Sequence, residues 1–308
     1  MNNFTKPAFL FFALFLVQEY AFSQSFYDSK VNRRWVASGG IGYARSLSDL
    51  TNPGTYFDNK FNIEGGIQYI ASDRINIRTH LLLFQLSGDD MEIDPELNTR
   101  SRGLSFVSNN IELGSTMSIS LFSNSARFID RRKINPYIFG GIGLLYFDPR
   151  AEVPEYAIID GESIPAPRAG DVVSLHRYQT ERPNNYSRFA LVIPVGFGIK
   201  IKATNFMDIT LEASNRITFT DYLDDVSGSD YADIDKFDFS KEEDITAWAL
   251  SNPSGTDSDT RGNPASNDHY LIVNIKADIY IQGDFFNRLF GMDENNFDLT
   301  PRRGRLLR

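Results

Sequence analysis

The stretch from Asp208 to Tyr231, which reads DITLEASNRITFTDYLDDVSGSDY, decides the fold. Apolar and polar residues alternate along its first half, and this alternation is broken on the apolar side only by Asn215. One face carries Ile209, Leu211, Ala213, Ile217 and Phe219, and the other carries Thr210, Glu212, Ser214, Arg216, Thr218 and Thr220. Such a pattern over about a dozen residues is typical of a strand with one apolar and one polar face. From Asp221 onward the stretch is acidic and contains Gly and Ser, which predicts a charged loop.

Seven other stretches repeat the two-faced pattern, so the sequence predicts eight strands in all. Each has about 9–15 residues, which is close to the length that a tilted membrane-spanning strand requires. One of them, Tyr137–Phe147, is apolar on both faces, and its three glycines indicate bending or close packing. The seven are Trp35–Ala44, Phe61–Tyr69, Ile75–Leu83, Val107–Leu121, Tyr137–Phe147, Ser187–Lys202 and Leu271–Ile281.

The connections between the strands indicate how the strands are arranged. Ser72–Arg74 and Thr204–Met207 are short and Phe122–Pro136 is moderate, whereas Asp148–Tyr186 and Asp221–Asp268 reach about forty residues. Alternating short and long connections are typical of outer-membrane barrels, with short turns in the periplasm. We therefore expect an all-β protein, an eight-stranded antiparallel transmembrane β-barrel of outer-membrane type with long extracellular loops, over residues 35–282. The alternative is a soluble lipocalin-like or sandwich protein with its apolar faces inside.

The N-terminus has the pattern of an export signal. Lys6 supplies a positive charge, Pro7–Val17 is apolar, and Ala21–Ser23 places small residues before Gln24. We predict a signal peptide over residues 1–23 and location in the outer membrane of a Gram-negative cell; a core helix is the alternative. Beyond this segment no apolar run approaches the roughly 20 residues of a membrane helix. The 308 residues include 25 Phe and 14 Tyr, which favours β structure, and no Cys, which excludes disulfides.

Charge is distributed unevenly along the chain. The net charge of -9 argues against a nucleic-acid partner, because no basic excess is present to meet phosphates. The segment 221–268 holds thirteen acidic and three basic residues. The periplasmic side is expected to be mildly basic, through a periplasmic N-terminal segment at 24–34 and the connection that contains Arg131, Arg132 and Lys133. A periplasmic C-terminal tail at 283–308 is either frayed or a docking element.

Six charged residues fall on the polar, inward phase of the predicted strands. The interior of an eight-stranded barrel is just wide enough for its own side chains, and an unpaired buried charge is very costly. We therefore predict an ion network that fills the lumen, although a polar permeation path is an alternative. The six are Glu64, Arg78, Glu112, Glu212, Arg216 and Lys276.

Support for chemistry is thin. The chain has three histidines, His80, His176 and His269, and neither a GxSxG nor an HExxH motif. His80 is the one expected to share the interior with Glu64 or Glu112. We predict no enzymatic activity, no catalytic residue and no cofactor. Calcium binding by the acidic loop is an alternative, because hard cations bind clustered oxygens. The spacing of the acids does not match the EF-hand pattern, so a solvated loop without metal is favoured. The acids include Asp224, Asp225, Asp230, Asp233 and Asp235.

The segment 218–231, TFTDYLDDVSGSDY, resembles the signature of the PorG-like outer-membrane barrels of the type IX secretion system. Similar matches occur at 39–43 with Asp49 and Leu50 after it, at 135–143 continuing to 147–151, and at 193–200. The resemblance covers most of residues 35–231. The insert at about 236–268 and the tail from Gly283 lie beyond it.

The resemblance implies a non-enzymatic component of the type IX protein secretion machinery, a system of protein transport and gliding motility. Such a barrel anchors a periplasmic lipoprotein ring, of the PorK and PorN type, to outer-membrane lipid. The basic bias of the short connections places the partner contacts on the periplasmic side, at Arg74, Arg131, Arg132, Lys133 and Asn205 and in the tail. A small outer-membrane channel and a lipid-modifying barrel enzyme are the alternatives.

Overall fold

The computed structural model describes residues 33–50, 59–90, 102–124, 130–182, 185–228, 230–255 and 261–281. The predicted signal peptide and the C-terminal tail at 283–308 lie outside the described residues. Of the predicted N-terminal segment at 24–34, only Arg33 and Arg34 are described. Among the described residues, no helix is both long and apolar enough to cross a membrane.

Eight long antiparallel strands form a closed barrel. Each strand pairs with the next along the chain, and the last pairs with the first from Trp35 opposite Ile281 to Leu47 opposite His269. The eight strands are β1 (Trp35–Leu47), β2 (Lys60–Ile70), β3 (Ile75–Asp89), β4 (Ser105–Ser120), β5 (Ile134–Tyr146), β10 (Phe189–Lys202), β11 (Met207–Thr218) and β12 (His269–Ile281). The predicted fold is therefore confirmed. All eight predicted strands occur; seven have ends within about three residues of the expected ones, and β3 runs six residues beyond its expected end at Leu83.

The outer wall of the barrel is apolar, as a wall in contact with lipid must be. Side chains along every barrel strand alternate between exposed apolar residues and buried ones. Aromatic residues lie near both ends of this wall, as in the interfacial girdles of membrane barrels. Toward the long loops these are Tyr43, Phe61, Phe189 and Phe219, and toward the short turns they are Trp35, Tyr69, Phe122 and Phe206.

Glycines on the inner wall make room for large side chains, as predicted for β5. A Cβ on Gly196 or Gly198 would lie within 2.7 Å of the rings of Phe139 and Tyr137. A Cβ on Gly141 would lie 2.1 Å from the backbone oxygen of Ser115 on β4. These glycines therefore allow β5 to approach its neighbours closely and to place two aromatic rings in the lumen.

The shortest and the longest connections are the expected ones, but the connection after β1, at twelve residues, is no longer than the thirteen residues after β4. Short turns join β2 to β3 and β10 to β11, whereas about forty residues separate β5 from β10 and about fifty separate β11 from β12. These two long loops contain further short elements. We call the two loops, with all their elements, the cap. The elements are β6 (Pro149–Glu152), β7 (Tyr156–Ile159), β8 (Glu162–Pro165), β9 (Val172–Ser174), α1 (Leu175–Tyr178), a 3₁₀ turn (Ile234–Lys236) and α2 (Glu242–Ser251).

The apolar residues of the cap, around Trp248 of α2, belong to one apolar core that continues into the outer part of the barrel. The Trp248 indole ring meets Phe237 and Phe239 edge-on, and its N–H donates to the backbone oxygen of Ile158 at 2.7 Å. Three acidic residues in the first turn of α2 favour the helix start through the helix dipole. The prediction of a solvated loop over 221–268 is therefore wrong for the buried Asp224 and Asp225 and for α2, whose apolar face packs against the loop between β5 and β10. It holds for Asp230, Asp233 and Asp235, which are exposed.

Candidate functional site

The barrel lumen is occupied by two groups of paired charges, and the first is centred on Glu212 of β11. The Arg78 guanidinium donates to both carboxylate oxygens of Glu212, at 2.7 and 2.8 Å. Lys276 donates to Glu212 and lies 3.3 Å from Glu64. The Tyr137 hydroxyl completes the shell of Glu212 at 2.6 Å. All of these side chains are buried, so each charge is compensated by its neighbours instead of by water.

The second group lies nearer the long loops and is centred on Glu112 of β4. The Arg216 Nε atom is 3.3 Å from each oxygen of Glu112, and the Tyr270 hydroxyl donates at 2.7 Å. His80 Nε2 lies 3.2 Å from the same carboxylate. The structure thus brings all six predicted lumen residues together in two paired groups and places His80 beside Glu112.

A third group closes the periplasmic end and was not predicted. The Arg131 guanidinium donates to Asp208 Oδ1 at 2.9 and 2.7 Å and stacks over the Tyr280 ring at 4.4 Å. It also donates to the backbone oxygens of Thr204 and Asn205, at 2.8 and 2.7 Å. The prediction that the Arg131 side chain contacts a partner is therefore wrong, because this side chain is buried and holds the β10–β11 turn from inside the barrel.

The sequence did contain part of the signal for this group. Asp208 occupies the same inward phase as Glu212, four residues away on β11, and Asp278 the same phase as Lys276, two residues away on β12. Arg131 had no such signal because it lies in a connection, where side-chain direction follows no period. Its direction is set by the carboxylate of Asp208, which would otherwise be a buried charge without a cation.

The other predicted partner residues lie at the outside of the periplasmic end. Arg74, Arg132, Lys133 and Asn205 are all exposed. The Arg132 guanidinium lies 4.8 Å from the Phe122 ring, which belongs to the inner aromatic girdle. We call these four residues the periplasmic rim.

At the opposite end, four loops meet in a cluster of charged residues that the sequence did not reveal. Two arginines and seven acidic residues from these loops lie within the same region, and all except the half-buried Asp49 are buried. Four of the seven acidic residues, Asp221, Asp224, Asp225 and Asp268, come from the loop after β11. We call this group the mouth cluster; it consists of Asp49, Asp90, Arg102, Glu181, Asp221, Asp224, Asp225, Arg261 and Asp268.

The two arginines connect the loops to one another. Arg102 donates to Asp90 at 3.0 and 2.6 Å and to the backbone oxygen of Asp49 at 3.1 Å. It also donates to the backbone oxygen of Arg261. Arg261 in turn donates to Glu181 and, at 3.2 Å, to the backbone oxygen of Asp225. The loops after β1, β3, β5 and β11 are thereby joined through two side chains.

The carboxyls of the mouth cluster differ strongly from ordinary surface acids. Burial raises the pKa of Asp221 and of Asp224 to about 7 and that of Asp225 to about 6. Burial, with the neighbouring carboxyl of Asp224, raises the pKa of Asp268 well above its usual range. In the described part of the chain no group of three or more His, Cys, Asp or Glu side chains has the geometry of a metal site.

Among the described residues, none of the three histidines, His80, His176 and His269, hydrogen-bonds to a serine hydroxyl as a nucleophilic site would require. His80 contacts Glu112 and has no hydrogen bond to a serine hydroxyl. His176 lies in the cap, where its Nε2 is 2.9 Å from the backbone oxygen of Tyr186. The contact of His80 stabilises the barrel interior, and the contact of His176 stabilises the cap.

Comparison with known proteins identifies no relative by sequence. No family model matches the chain, and no curated protein matches it. Among solved structures, the chain is similar to Neisserial surface protein A, with a TM-score of 0.38 and 7% identity over 80% of this chain and 97% of that chain. It is also similar to Ail of Yersinia pestis, with a TM-score of 0.35 and 7% identity over 80% of this chain and 99% of that chain.

A further similar structure is the outer membrane protein OprG from Pseudomonas aeruginosa, with a TM-score of 0.33 and 8% identity over 82% of this chain and 98% of that chain. Likeness at this level carries no functional argument for the chain. The barrel itself is established by the closed ring of strand pairs described above.

Proposed function

We propose that this barrel is a non-enzymatic outer-membrane anchor for a periplasmic ring lipoprotein of the type IX protein secretion machinery. The role is the one implied by the resemblance of residues 218–231 to the PorG-like barrels. The observation that carries the proposal is the filled lumen. Paired charges close the interior of the barrel, so a function of this barrel is expected to depend on contacts made by its outer surfaces.

The lumen offers little for conduction or catalysis. Three groups of buried charges, around Glu112, Glu212 and Asp208, follow one another from the mouth to the periplasmic end. An ion that passed through would have to separate these pairs, which costs several kcal/mol for each uncompensated charge. Above them the cap and the mouth cluster cover the outer end. A contact role therefore fits the interior better than a small channel does.

The periplasmic rim supplies the contact surface of this proposal. Arg74, Arg132 and Lys133 present positive charge toward the periplasm, and Asn205 lies on a turn that Arg131 fixes from within. A rigid rim costs little conformational entropy on binding. The partner surface it fits is acidic, since complementary charge steers association and fixes orientation.

Capture of the ring lipoprotein tests the proposal. The full barrel, in native envelopes, is expected to crosslink to the PorK-like lipoprotein, and the double variant Arg132→Glu with Lys133→Glu is expected to lose most of this crosslinking. Lys236→Glu with Lys241→Glu, on the opposite side of the membrane, is the matched control. Equal crosslinking in both variants would show that the periplasmic rim is not the contact surface. Absence of crosslinking in the unaltered chain would contradict the anchoring function itself. Steady conductance in a planar bilayer would favour the channel alternative.

A further inference from the structure

The mouth cluster joins the cap to the barrel through carboxyls that mostly lack a cationic partner. Asp224 accepts hydrogen bonds from the backbone N–H groups of Leu50 and Val226, at 3.2 and 3.0 Å. Asp268, just before β12, accepts from the backbone N–H of Leu223 at 2.8 Å. Both side chains are almost fully buried. The contact of Asp224 with Leu50 therefore joins the loops after β1 and β11, and the contact of Asp268 with Leu223 joins the two ends of the loop after β11.

We propose that the mouth cluster makes closure of the cap depend on protons: the cap is closed over the barrel while the cluster holds protons, and it loosens when they are lost. The inference is independent of the secretion role proposed above, since it concerns the outer end of the barrel alone.

The arrangement of charge within the cluster supports this proposal. The charged groups that act most strongly on Asp268 are Asp224, Asp221 and Asp49, all of them acidic. Asp221 in turn faces Asp49 and Glu181. Four carboxyls thus surround one another on the side of the cluster next to the β1 loop. If all were ionised, their repulsion would act directly between the loops that they join.

The cations of the cluster lie on its other side. Arg261 is engaged by Glu181, and Arg102 by Asp90. Asp225 lies next to Arg261, but its carboxylate accepts from the hydroxyls of Thr180 and Tyr186, the latter at 2.6 Å. Its backbone has φ of 68°, the left-handed region, so the turn directs Asp224 and its neighbour Asp225 toward different loops. Two guanidiniums therefore cannot compensate all seven carboxyls.

The direction of the pH effect follows from the raised pKa values. Burial raises the pKa of Asp221 and Asp224 to about 7 and that of Asp225 to about 6. A carboxyl whose pKa is raised in the closed state binds its proton more tightly there than in the open state. Closure is consequently favoured at low pH and weakens as the pH rises from about 4, the usual pKa of an aspartate, to about 7.

Two histidines lie near the mouth cluster, and histidine ordinarily titrates in an overlapping pH range. Their contribution to the pH dependence of cap closure must therefore be tested separately. His176 of α1 meets the Tyr186 ring edge-on with centroids 4.9 Å apart. His269 follows Asp268 directly at the start of β12. Tyr186 and Tyr222, which stack on each other at 4.5 Å, do not compete as titrating groups, because burial raises the pKa of both above the usual tyrosine value.

The chain provides its own probe for the experiment. It contains two tryptophans, Trp35 at the periplasmic girdle and Trp248 in the cap. In the full chain with Trp35→Phe, in lipid nanodiscs, Trp248 fluorescence and hydrogen exchange of residues 219–228 are followed from about pH 5 to about pH 9. We expect one transition with a midpoint at about pH 6 to 7. At high pH the Trp248 emission should shift to longer wavelength, and hydrogen exchange, corrected for its intrinsic pH dependence, should be faster.

Variants decide whether the mouth cluster causes the transition. Asp224→Asn with Asp221→Asn removes charge but keeps hydrogen-bond acceptors. It is expected to reduce the transition to the part that Asp225 and Asp268 contribute, and so to shift its midpoint. Asp221→Asn alone serves if the double variant does not fold. Asp233→Asn, an exposed acid of the same loop, and His176→Gln with His269→Gln are expected to leave the midpoint unchanged. An unaltered midpoint in the Asp221 and Asp224 variants, its loss in the histidine variant, or no transition in the parent chain would overturn the proposal.

Discussion

The lumen and the mouth of this barrel both bury many charges, but they compensate them differently. In the lumen, Glu64, Glu112, Glu212 and Asp208 each contact an arginine or a lysine. At the mouth, the carboxylates of Asp224 and Asp268 contact backbone N–H groups instead. Most lumen carboxylates are thus held by a cation, and Asp278 by the hydroxyls of Ser38 and Thr210, whereas the mouth lies beside water, from which its carboxyls can take protons. The same barrel thus has a fixed interior and a titratable entrance.

Removal of Glu212 is expected to have the largest effect on the lumen. Glu212→Ala leaves Arg78 and Lys276 buried without their shared carboxylate, and breaking a buried pair costs about 3–5 kcal/mol. Unfolding of the purified barrel by urea, followed by heat-modifiable migration on a gel, measures the loss. Leu211→Ala, the adjacent side chain facing lipid, is the control and should lose much less, since lipid can fill its place. An equal loss in both variants would contradict the importance of pairing.

Arg261→Met is expected to open the cap while the barrel persists. It leaves Glu181 without its guanidinium and frees the backbone oxygens of Asp225 and Ser251. Hydrogen exchange in residues 175–182 and 219–228 should accelerate about 100-fold, which corresponds to about 3 kcal/mol. The control is Arg177→Met, which breaks the exposed pair with Glu243. If heat-modifiable migration were lost at the same time, the mouth and the lumen would unfold together, which would contradict a cap that opens while the barrel stays folded.

The response to pH should separate the two regions without any mutation. Because the pKa of Asp224 is raised to about 7, the free energy of opening the cap should fall between about pH 4 and about pH 7. Exchange in the paired barrel strands, corrected for intrinsic rates, should stay constant over the same interval. Mass spectrometry after exchange at several pH values measures both regions in one sample. Parallel changes in cap and strands would mean that the mouth has no separate titration.

Trp248→Phe is expected to have the smallest effect of the four. The change keeps most of the ring that packs on Phe237 and Phe239 but removes the N–H donated to the backbone oxygen of Ile158, which costs about 1 kcal/mol. Limited proteolysis of the cap should become a few-fold faster. The corresponding change at the girdle, Trp35→Phe, should leave cap proteolysis as it is. A large effect of Trp248→Phe on unfolding of the whole barrel would again argue that cap and barrel form one unit.

The strands and the charged lining of the lumen were predictable because they follow a period of two. Ile209 and Leu211 had to face one way and Thr210 and Glu212 the other, whatever the register between strands. The six predicted lumen residues consequently lie inside, and they are the residues that meet in pairs.

The cap and the mouth cluster were not predictable from this reasoning, because they have no period. Glu181 and Arg261 are eighty residues apart in sequence, and Asp49 and Asn263 more than two hundred. An acidic loop of this composition reads as solvated, and only its packing against the loop after β5 buries Asp224 and Asp225. The inward course of Arg131 was missed for the same reason.

The sequence by itself determined the number of strands, the apolar outer wall, the inward charges and the shortest and longest connections, since these depend on residues next to one another in the chain. The tertiary structure alone decided which carboxylate meets which cation and which carboxyls meet none. Those contacts depend on the closure of β12 onto β1 and on the packing of four loops, and both set distances between residues that are far apart in the chain.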